Sequence, residues 1–367
     1  MPAMQQQNAK PIPFRLGSRQ RKRQSGATQS IAGGGSALAA TGNFILDKVG
    51  MLNYLWIVVK GTVTLSAAGA FATNGPWNIL NRIRVDLNLS NMNLVDIDGR
   101  MAYDLAKMHN LGWSPDGGGN YTPNANAFSA PVAMGANLWV IPFLIPISAN
   151  PGGDFDTGLI NLQAPEVQLT VSTRFAAVGT DFVTNFTSLT LTTVELYQCY
   201  FSSLDPRAVI LPLGQVIRTV QFTQPVVATG EQTYTVERQG KLMMLATRFV
   251  ANGTRSDGID RIQAIANIND TMYDEPLTFL SQEYEWMLSL PRPTGIFALH
   301  FWDAEEMPGS GDGRDLINLE ILTTFQQKLF VSSGTTLGGS NNFYDVGRRI
   351  LVNFVSPATS GVNPLSQ

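Results

Sequence analysis

The stretch RIRVDL, residues 82–87, decides the fold class because polar and apolar side chains alternate along its whole length. Side chains of a β-strand point to opposite faces at successive residues, so the stretch predicts a strand with one buried face. The same alternation recurs along the chain. Further predicted strands are 62–65, 138–141, 167–171, 188–197, 215–222, 233–236 and 241–249.

The composition agrees with a β protein of two domains. At 367 residues the chain is longer than one hydrophobic core usually supports. Hydrophobic residues make up 44% and charged residues only 14%, with 34 glycines and 20 prolines between the predicted strands. This balance favours strands and turns over helices. The low charge density also indicates that much of the surface packs against neighbours.

The order of the predicted elements repeats once. Residues 261–265 resemble 82–87, and each stretch is followed by a short amphipathic helix. The first helix begins at Asp98 and the second near Pro276. Beyond the helices, 296–302 corresponds to 138–143, 316–322 to 167–171, and 349–355 to 189–197. This order predicts an internal duplication.

The N-terminus is basic, whereas the rest of the chain is acidic on balance. Every charged residue before Asp47, the first acidic residue, is a lysine or an arginine. The glycines at 33–35 favour a flexible arm. Such an arm is either a solvated tail or a contact for lipid headgroups, nucleic acid or the acidic body of a neighbouring subunit. The charged arm residues are Lys10, Arg15, Arg19, Arg21, Lys22 and Arg23.

Residues suited to catalysis or metal binding are scarce. With Cys199, His109 and His300 as the complete set of cysteines and histidines, one chain cannot assemble a disulfide, a zinc site or a nucleophilic triad. We expect a packed or capping role for the histidines. Cys199 has no positive neighbour in the sequence and is expected to be a buried thiol.

Three acidic stretches and one glycine-rich stretch resemble functional sites only in part. Residues 96–99 and 154–158 resemble calcium loops but lack the closing glutamate. Asp303, Glu305 and Glu306 lie beside Trp302, where a solvated turn is the simpler interpretation. The glycines at 309–313 lack the lysine of a phosphate loop. We therefore predict no catalytic, cofactor or metal residues and no enzymatic activity.

Membrane insertion and secretion are not indicated by the sequence. The longest apolar run, 138–147, is about half the length that spans a bilayer and contains two prolines. The first residues lack the apolar core of a signal peptide.

The run TVELYQCYF at 193–201, with Leu204 and then VILPL at 209–213, resembles the junction between the two barrels of tectivirus-type major capsid proteins. That family shares its plan with adenovirus hexon. The resemblance implies an all-β fold of two tandem eight-stranded jelly-roll β-barrels with short inserted helices and a flexible basic N-terminal arm. The predicted parts are the arm 1–42, the first roll 43–204, a linker 205–214, the second roll 215–357 and a tail 358–367.

The resemblance also implies a function. Chains of this family form pseudo-hexagonal homotrimers in an icosahedral shell over an internal membrane, so the expected location is the virion capsid after synthesis in the host cytoplasm. The implied partners are further copies of the chain, penton and minor capsid proteins and the inner membrane, with nucleic acid as another contact for the arm. Two alternatives stay open: a carbohydrate-binding or cupin-like β-sandwich protein, and a minor vertex or spike protein.

Overall fold

The computed structural model describes most of the predicted strands. The described residues are 18–31, 40–69, 77–87, 92–108, 134–149, 158–165, 167–176, 183–203, 215–288, 292, 294–301, 316–338 and 341–353. The predicted linker 205–214 and tail 358–367 lie outside them.

The described residues of the first half form ten strands and one α-helix. The strands are β1 (Ser18–Gln24), β2 (Gln29–Ile31), β3 (Ala40–Ile45), β4 (Met51–Leu65), β5 (Leu80–Leu87), β6 (Met92–Ile97), β7 (Gly135–Pro146), β8 (Ile160–Asn161), β9 (Leu169–Phe175) and β10 (Phe186–Ser203). A 3-10 turn (Trp77–Ile79) precedes β5, and helix α1 (Gly99–Met108) follows β6.

The second half repeats this order. Its strands are β11 (Gln215–Pro225), β12 (Gly230–Thr235), β13 (Lys241–Ala251), β14 (Thr254–Arg255), β15 (Ile259–Ala266), β16 (Asp270–Pro276), β17 (Ile296–His300), β18 (Ile317–Asn318), β19 (Phe325–Val331) and β20 (Phe343–Asn353). Helix α2 (Leu277–Leu288) follows β16 as α1 follows β6.

In the described residues of each half, eight main strands form a sandwich of two sheets with four main strands each, and the short strands β2, β8, β14 and β18 add to these sheets. In the first half the strand orders are β1-β10-β4-β7 and β3-β9-β5-β6, and in the second half they are β11-β20-β13-β17 and β12-β19-β15-β16. Numbered from the start of each half, the eight main strands follow the same order, which is that of a jelly roll. The predicted fold of two tandem jelly rolls is confirmed.

The two rolls are joined through a shared sheet. Strands β6 and β11 pair in parallel, with Val95 opposite Thr219 and Asp96 opposite Val220. This pairing fuses one sheet of each half into a single ten-stranded sheet. An apolar core of buried side chains runs through both halves.

Matching hydrogen bonds show how closely the halves correspond. The backbone N–H of Leu46 donates to the carbonyl of Leu169, and that of Val236 donates to Phe325 in the equivalent place, at 3.0 and 2.9 Å. Gly50 and Gly240 also correspond, with φ of +60° and +64°. A Cβ at either glycine would lie 2.3 or 2.4 Å from a carbonyl oxygen, of Phe201 or Leu351, so both turns require glycine.

The strand at 82–87 and both helices form as predicted. Every second side chain of β5 from Ile83 to Leu87 is buried. In α1, Met101 and Leu105 are buried, and in α2 Leu280 and Tyr284 are buried.

One correspondence within the predicted repeat is wrong. Residues 316–322 contain only the two-residue strand β18, which matches β8, while β19 is the counterpart of β9. Residues 316–322, LINLEIL, are as apolar as a strand, but 319–321 form a turn.

Candidate functional site

Part of the basic arm is a strand of the first sheet. Every residue of β1 pairs with β10, from Ser18 opposite Ser203 to Gln24 opposite Tyr197. The arm was predicted to be flexible up to residue 42, and for this segment the prediction needs correction. The edge of β10 offers backbone partners that the composition of the arm cannot reveal. Lys10 and Arg15 lie outside the described residues.

The cationic side chains of β1 line the outer edge of this sheet. Arg19, Arg21, Lys22 and Arg23 are all exposed. The ammonium of Lys22 lies 5.5 Å from the ring centroid of Trp56 and 5.1 Å from that of Tyr197 on the outer face. Arg23 also forms an ion pair with Asp47 at 3.2 Å, but its side chain stays 57% exposed, so the edge remains positively charged toward water.

Cys199 is buried, as predicted, but it does have a positive neighbour. Lys22 is its register partner across β1 and β10. Burial raises the pKa of the Cys199 thiol, and the opposing effects of the Tyr54 hydroxyl and Lys22 are smaller. The thiol therefore stays protonated at neutral pH.

A buried ionic cluster lies where helix α1 of the first half meets the second half. The Arg248 side chain is fully buried, and its Nη2 lies 3.0 Å from Asp98 Oδ2. Its Nη1 lies 3.4 Å from Asp104 Oδ2, and its Nε donates to Asp345 at 2.9 Å. Arg255 forms a second bond to Asp104 at 3.0 Å. Three carboxylates of both halves thus converge on one guanidinium.

The electrostatics of the cluster depend on all of its members. Burial favours the neutral form of Asp98, but Arg248, Arg100 and the N–H of Met101 outweigh burial and hold the pKa of Asp98 well below its usual range. Burial likewise opposes the charge of Arg248, whose pKa the carboxylates nevertheless raise, Asp345 most strongly. Removing one partner would leave an uncompensated buried charge.

A second contact between the halves is made by Arg349. Its Nη2 donates to the Ser148 carbonyl at 2.8 Å and its Nη1 to the Ala149 carbonyl at 3.2 Å. Burial lowers the pKa of Arg349 to about 10. Buried Ile217 packs beside these groups with Ala149. Together with the ionic cluster, these contacts fix one roll against the other.

The sequence did not reveal this junction. Residues 96–99 were considered as a cation loop, but Asp96 pairs with Arg82 at 2.7 Å, and Asp98 accepts from the Met101 N–H at 2.6 Å as the N-cap of α1. A capping aspartate before an apolar helix was the usable signal. Arg248 gave a second one, because it lies in a strand whose other side chains are apolar except for Lys241 and Thr247.

The remaining candidates carry no cluster of reactive groups among the described residues. Burial, together with Arg349, lowers the pKa of His300 to about 4, so its imidazole is neutral. His109, residues 154–157, Asp303, Glu305 and Glu306 lie outside the described residues. Within the described ranges, no three acidic, histidine or cysteine side chains are placed to hold a metal ion. In the same ranges, no helix has the length and apolar character needed to cross a membrane.

The fold and the junction together define a double jelly roll, in which two sandwiches of one chain share a sheet. A scan against protein-family models gives no match, and neither does a search of curated proteins. Solved structures do match, and they show the fold of the major capsid proteins of double jelly-roll viruses.

Three of these structures illustrate the likeness. The major capsid protein of Sulfolobus turreted icosahedral virus superposes with a TM-score of 0.62 at 12% identity, over 95% of this chain and 100% of that chain. The PBCV-1 virus capsid gives 0.59 at 11% identity, over 91% and 93%. The major capsid protein of bacteriophage PM2 gives 0.53 at 7% identity, over 92% and 99%.

Proposed function

We propose that this chain is the major capsid protein of an icosahedral virus, located in the virion, and that three copies form a pseudo-hexagonal capsomer. The function is structural, not enzymatic. The observation that carries the proposal is the duplication, which places two jelly rolls with the same strand order side by side in a fixed orientation. Three such chains around an axis present six similar sides, which suits a hexagonal lattice.

The likeness to capsid proteins over more than nine-tenths of the chain supports this proposal. The rigid junction supports it as well. A capsomer that must fit a lattice needs the two rolls of each chain in one orientation, and the Arg248 cluster and Arg349 supply it.

Further partners are proposed from the same reasoning. They are neighbouring capsomers, penton and minor capsid proteins and an inner membrane beneath the shell. Anionic groups of lipid or nucleic acid suit Lys10 and Arg15 of the arm.

The test is the mass and outline of the purified chain. Light scattering after size exclusion should give three times the 39.9 kDa of one chain, and negative-stain images should show hexagonal particles. A monomer at every concentration and salt condition would contradict the proposal. Particles with two or four chains would contradict the trimer.

A further inference from the structure

Among the described residues, β1 and β16 are two of the strands that pair with a neighbour on one side only. Strand β1 ends the sheet β1-β10-β4-β7, and β16 ends the sheet β12-β19-β15-β16. The counterpart of β1 in the second half is β11, and the counterpart of β16 in the first half is β6. Strands β11 and β6 pair with each other inside the chain. The duplication therefore contains one completed junction and the two separate edges of a second.

The register of β1 follows from that of β11. The carbonyl oxygen of Phe201 lies against Gly50, and that of Leu351 lies against the equivalent Gly240. Cys199 and Arg349, each two residues before these carbonyls, therefore correspond. Lys22 pairs with Cys199, and Thr219 pairs with Arg349. Lys22 thus corresponds to Thr219, and the next residue, Arg23, corresponds to Val220.

The register of β16 follows from that of β6 in the same way. Arg82 of β5 forms an ion pair with Asp96 of β6, and Arg261 of β15 forms one with Asp274 of β16. Asp274 thus corresponds to Asp96. The preceding residue, Tyr273, corresponds to Val95.

We infer that in the proposed trimer β1 of one copy adds in parallel to β16 of the next copy, with Lys22 opposite Tyr273 and Arg23 opposite Asp274. The inference rests on the proposed function and specifies its subunit contact. It repeats between chains the pairing of Val95 with Thr219 and of Asp96 with Val220 inside one chain.

The charges of the two edges are complementary. Strand β1, SRQRKRQ, carries four positive side chains and no negative one. Strand β16, DTMYDEP, carries the negative side chains Asp270 and Asp274 and no positive one. Opposite charges on adjacent strands stabilise the pairing, whereas β1 against β1 or β16 against β16 would repel. The edges thus select each other and close a ring in one direction.

Helix α2 adds an apolar contact to this junction. Phe279 lies five residues after Asp274, as Met101 lies five residues after Asp96. Met101 is 1% exposed and packs against Gly347 of the second roll, whereas Phe279 is 51% exposed. Met101 is covered by the sheet of the second roll that contains Gly347. The equivalent sheet of the first roll is β1-β10-β4-β7, and its outer face carries half-buried Trp56 and Tyr197. We expect Phe279 to pack there, on the neighbouring copy.

The ionic cluster of the internal junction is replaced consistently at this second one. The place of Arg248, eight residues after Gly240, is taken by Val58, eight residues after Gly50. The place of Asp104 is taken by Gln282. The guanidinium and the carboxylate of Asp104 are therefore both absent from the equivalent positions. Glu195 takes the place of Asp345, because it pairs with Val58 as Asp345 pairs with Arg248. Glu195 has its own partner, Lys60, at 2.7 Å, so docking α2 on this face leaves no carboxylate of the cluster without a cation.

The decisive experiment is disulfide trapping with the full chain. Arg23→Cys with Asp274→Cys should give covalent trimers on a non-reducing gel, because each copy links to the next around the ring. Val220→Cys with Asp96→Cys, the equivalent pair inside one chain, should cross-link without any gain in mass. Arg23→Cys with Asp270→Cys is the control, since Asp270 lies four residues away along the strand and should cross-link at least ten-fold less.

The outcomes separate this inference from the proposed function. Trimers by light scattering under reducing conditions, with no trapping of the Arg23 and Asp274 pair, would overturn the strand pairing and leave the capsid proposal intact. A chain that is always monomeric would overturn both.

A second variant covers the case in which the cysteine pair prevents assembly. Phe279→Ser should weaken trimer formation at least ten-fold while lowering the unfolding midpoint of the dissociated chain only slightly. Ile321→Ser removes an apolar side chain that is 76% exposed outside both edges and should change neither quantity. Equal trimer formation by Phe279→Ser and the unmodified chain would refute the contact of α2.

Discussion

The junction between the two rolls and the outer edge of the second roll use the same ion-pair chemistry in different surroundings. At the junction, Arg248 and its carboxylates are almost completely buried. At the outer edge, Arg261 and Asp274 form a pair at 3.3 Å with side chains that are 44% and 41% exposed. Water screens the outer pair and is excluded from the inner one. Removing one partner of an arginine–aspartate pair should therefore destabilise the fold strongly only where neighbouring elements cover the pair.

The largest effect should come from breaking the inner cluster. Arg248→Met leaves Asp98, Asp104 and Asp345 buried without their shared cation, and we expect a loss of about 3–5 kcal/mol in the free energy of unfolding. Arg261→Met, the control at the outer edge, should cost less than about 1 kcal/mol. Urea unfolding of both variants measures the difference. Equal costs would show that burial does not distinguish the two sites.

The next effect compares the equivalent side chains of the two helices. Met101→Ala removes a buried side chain at the junction and should cost about 2–5 kcal/mol. In the dissociated chain, Phe279→Ala should cost under about 1 kcal/mol, because half of the ring is already in water. Denaturation at a concentration below trimer formation gives both values. A larger loss for Phe279→Ala would mean that α2 is covered within its own chain.

A smaller effect is expected at the glycine beneath Met101. A Cβ on Gly347 would lie 2.5 Å from the Met101 sulfur, so Gly347→Ala should cost about 1–3 kcal/mol as the thioether moves aside. Gly334→Ala is the control, because nothing lies within 4 Å of a Cβ there. Thermal unfolding of the two variants should separate them, and the same melting temperature for both would contradict close packing of α1.

The smallest effect concerns pH at the outer edge. Burial, with Glu283 nearby, raises the pKa of Glu275 to about 7. A carboxyl whose pKa is raised by folding contributes stability below its unfolded pKa, and this contribution is lost as the pH rises through the folded value. The urea midpoint of the dissociated chain should therefore fall between pH 5 and pH 8, and Glu275→Gln should flatten the fall. An unchanged pH profile in that variant would show that another group is responsible.

Local features of the fold could be predicted from the sequence, and contacts between distant segments could not. Alternation at 82–87 and the apolar spacing after Asp98 identify β5 and α1, because both patterns depend on residues close in the chain. The order of elements also revealed the duplication. The sequence indicated neither that β1 pairs with β10 nor that 316–322 is mainly a turn, since pairing partners are chosen by segments far away.

The candidate site was predictable only in part. The basic residues of β1 stand out by charge alone, whereas their position at a sheet edge depends on β10. Asp98 and Arg248 are 150 residues apart in the chain. Their meeting follows from the parallel pairing of β6 with β11, which no local pattern reports.

A cryo-electron microscopy map of the purified assembly would show the contact between subunits itself. We expect three chains in a ring of six jelly rolls, with β1 of each copy beside β16 of the next and a continuous sheet across each contact between chains. A ring in which β1 and β16 lie apart, or particles built from single chains, would contradict it.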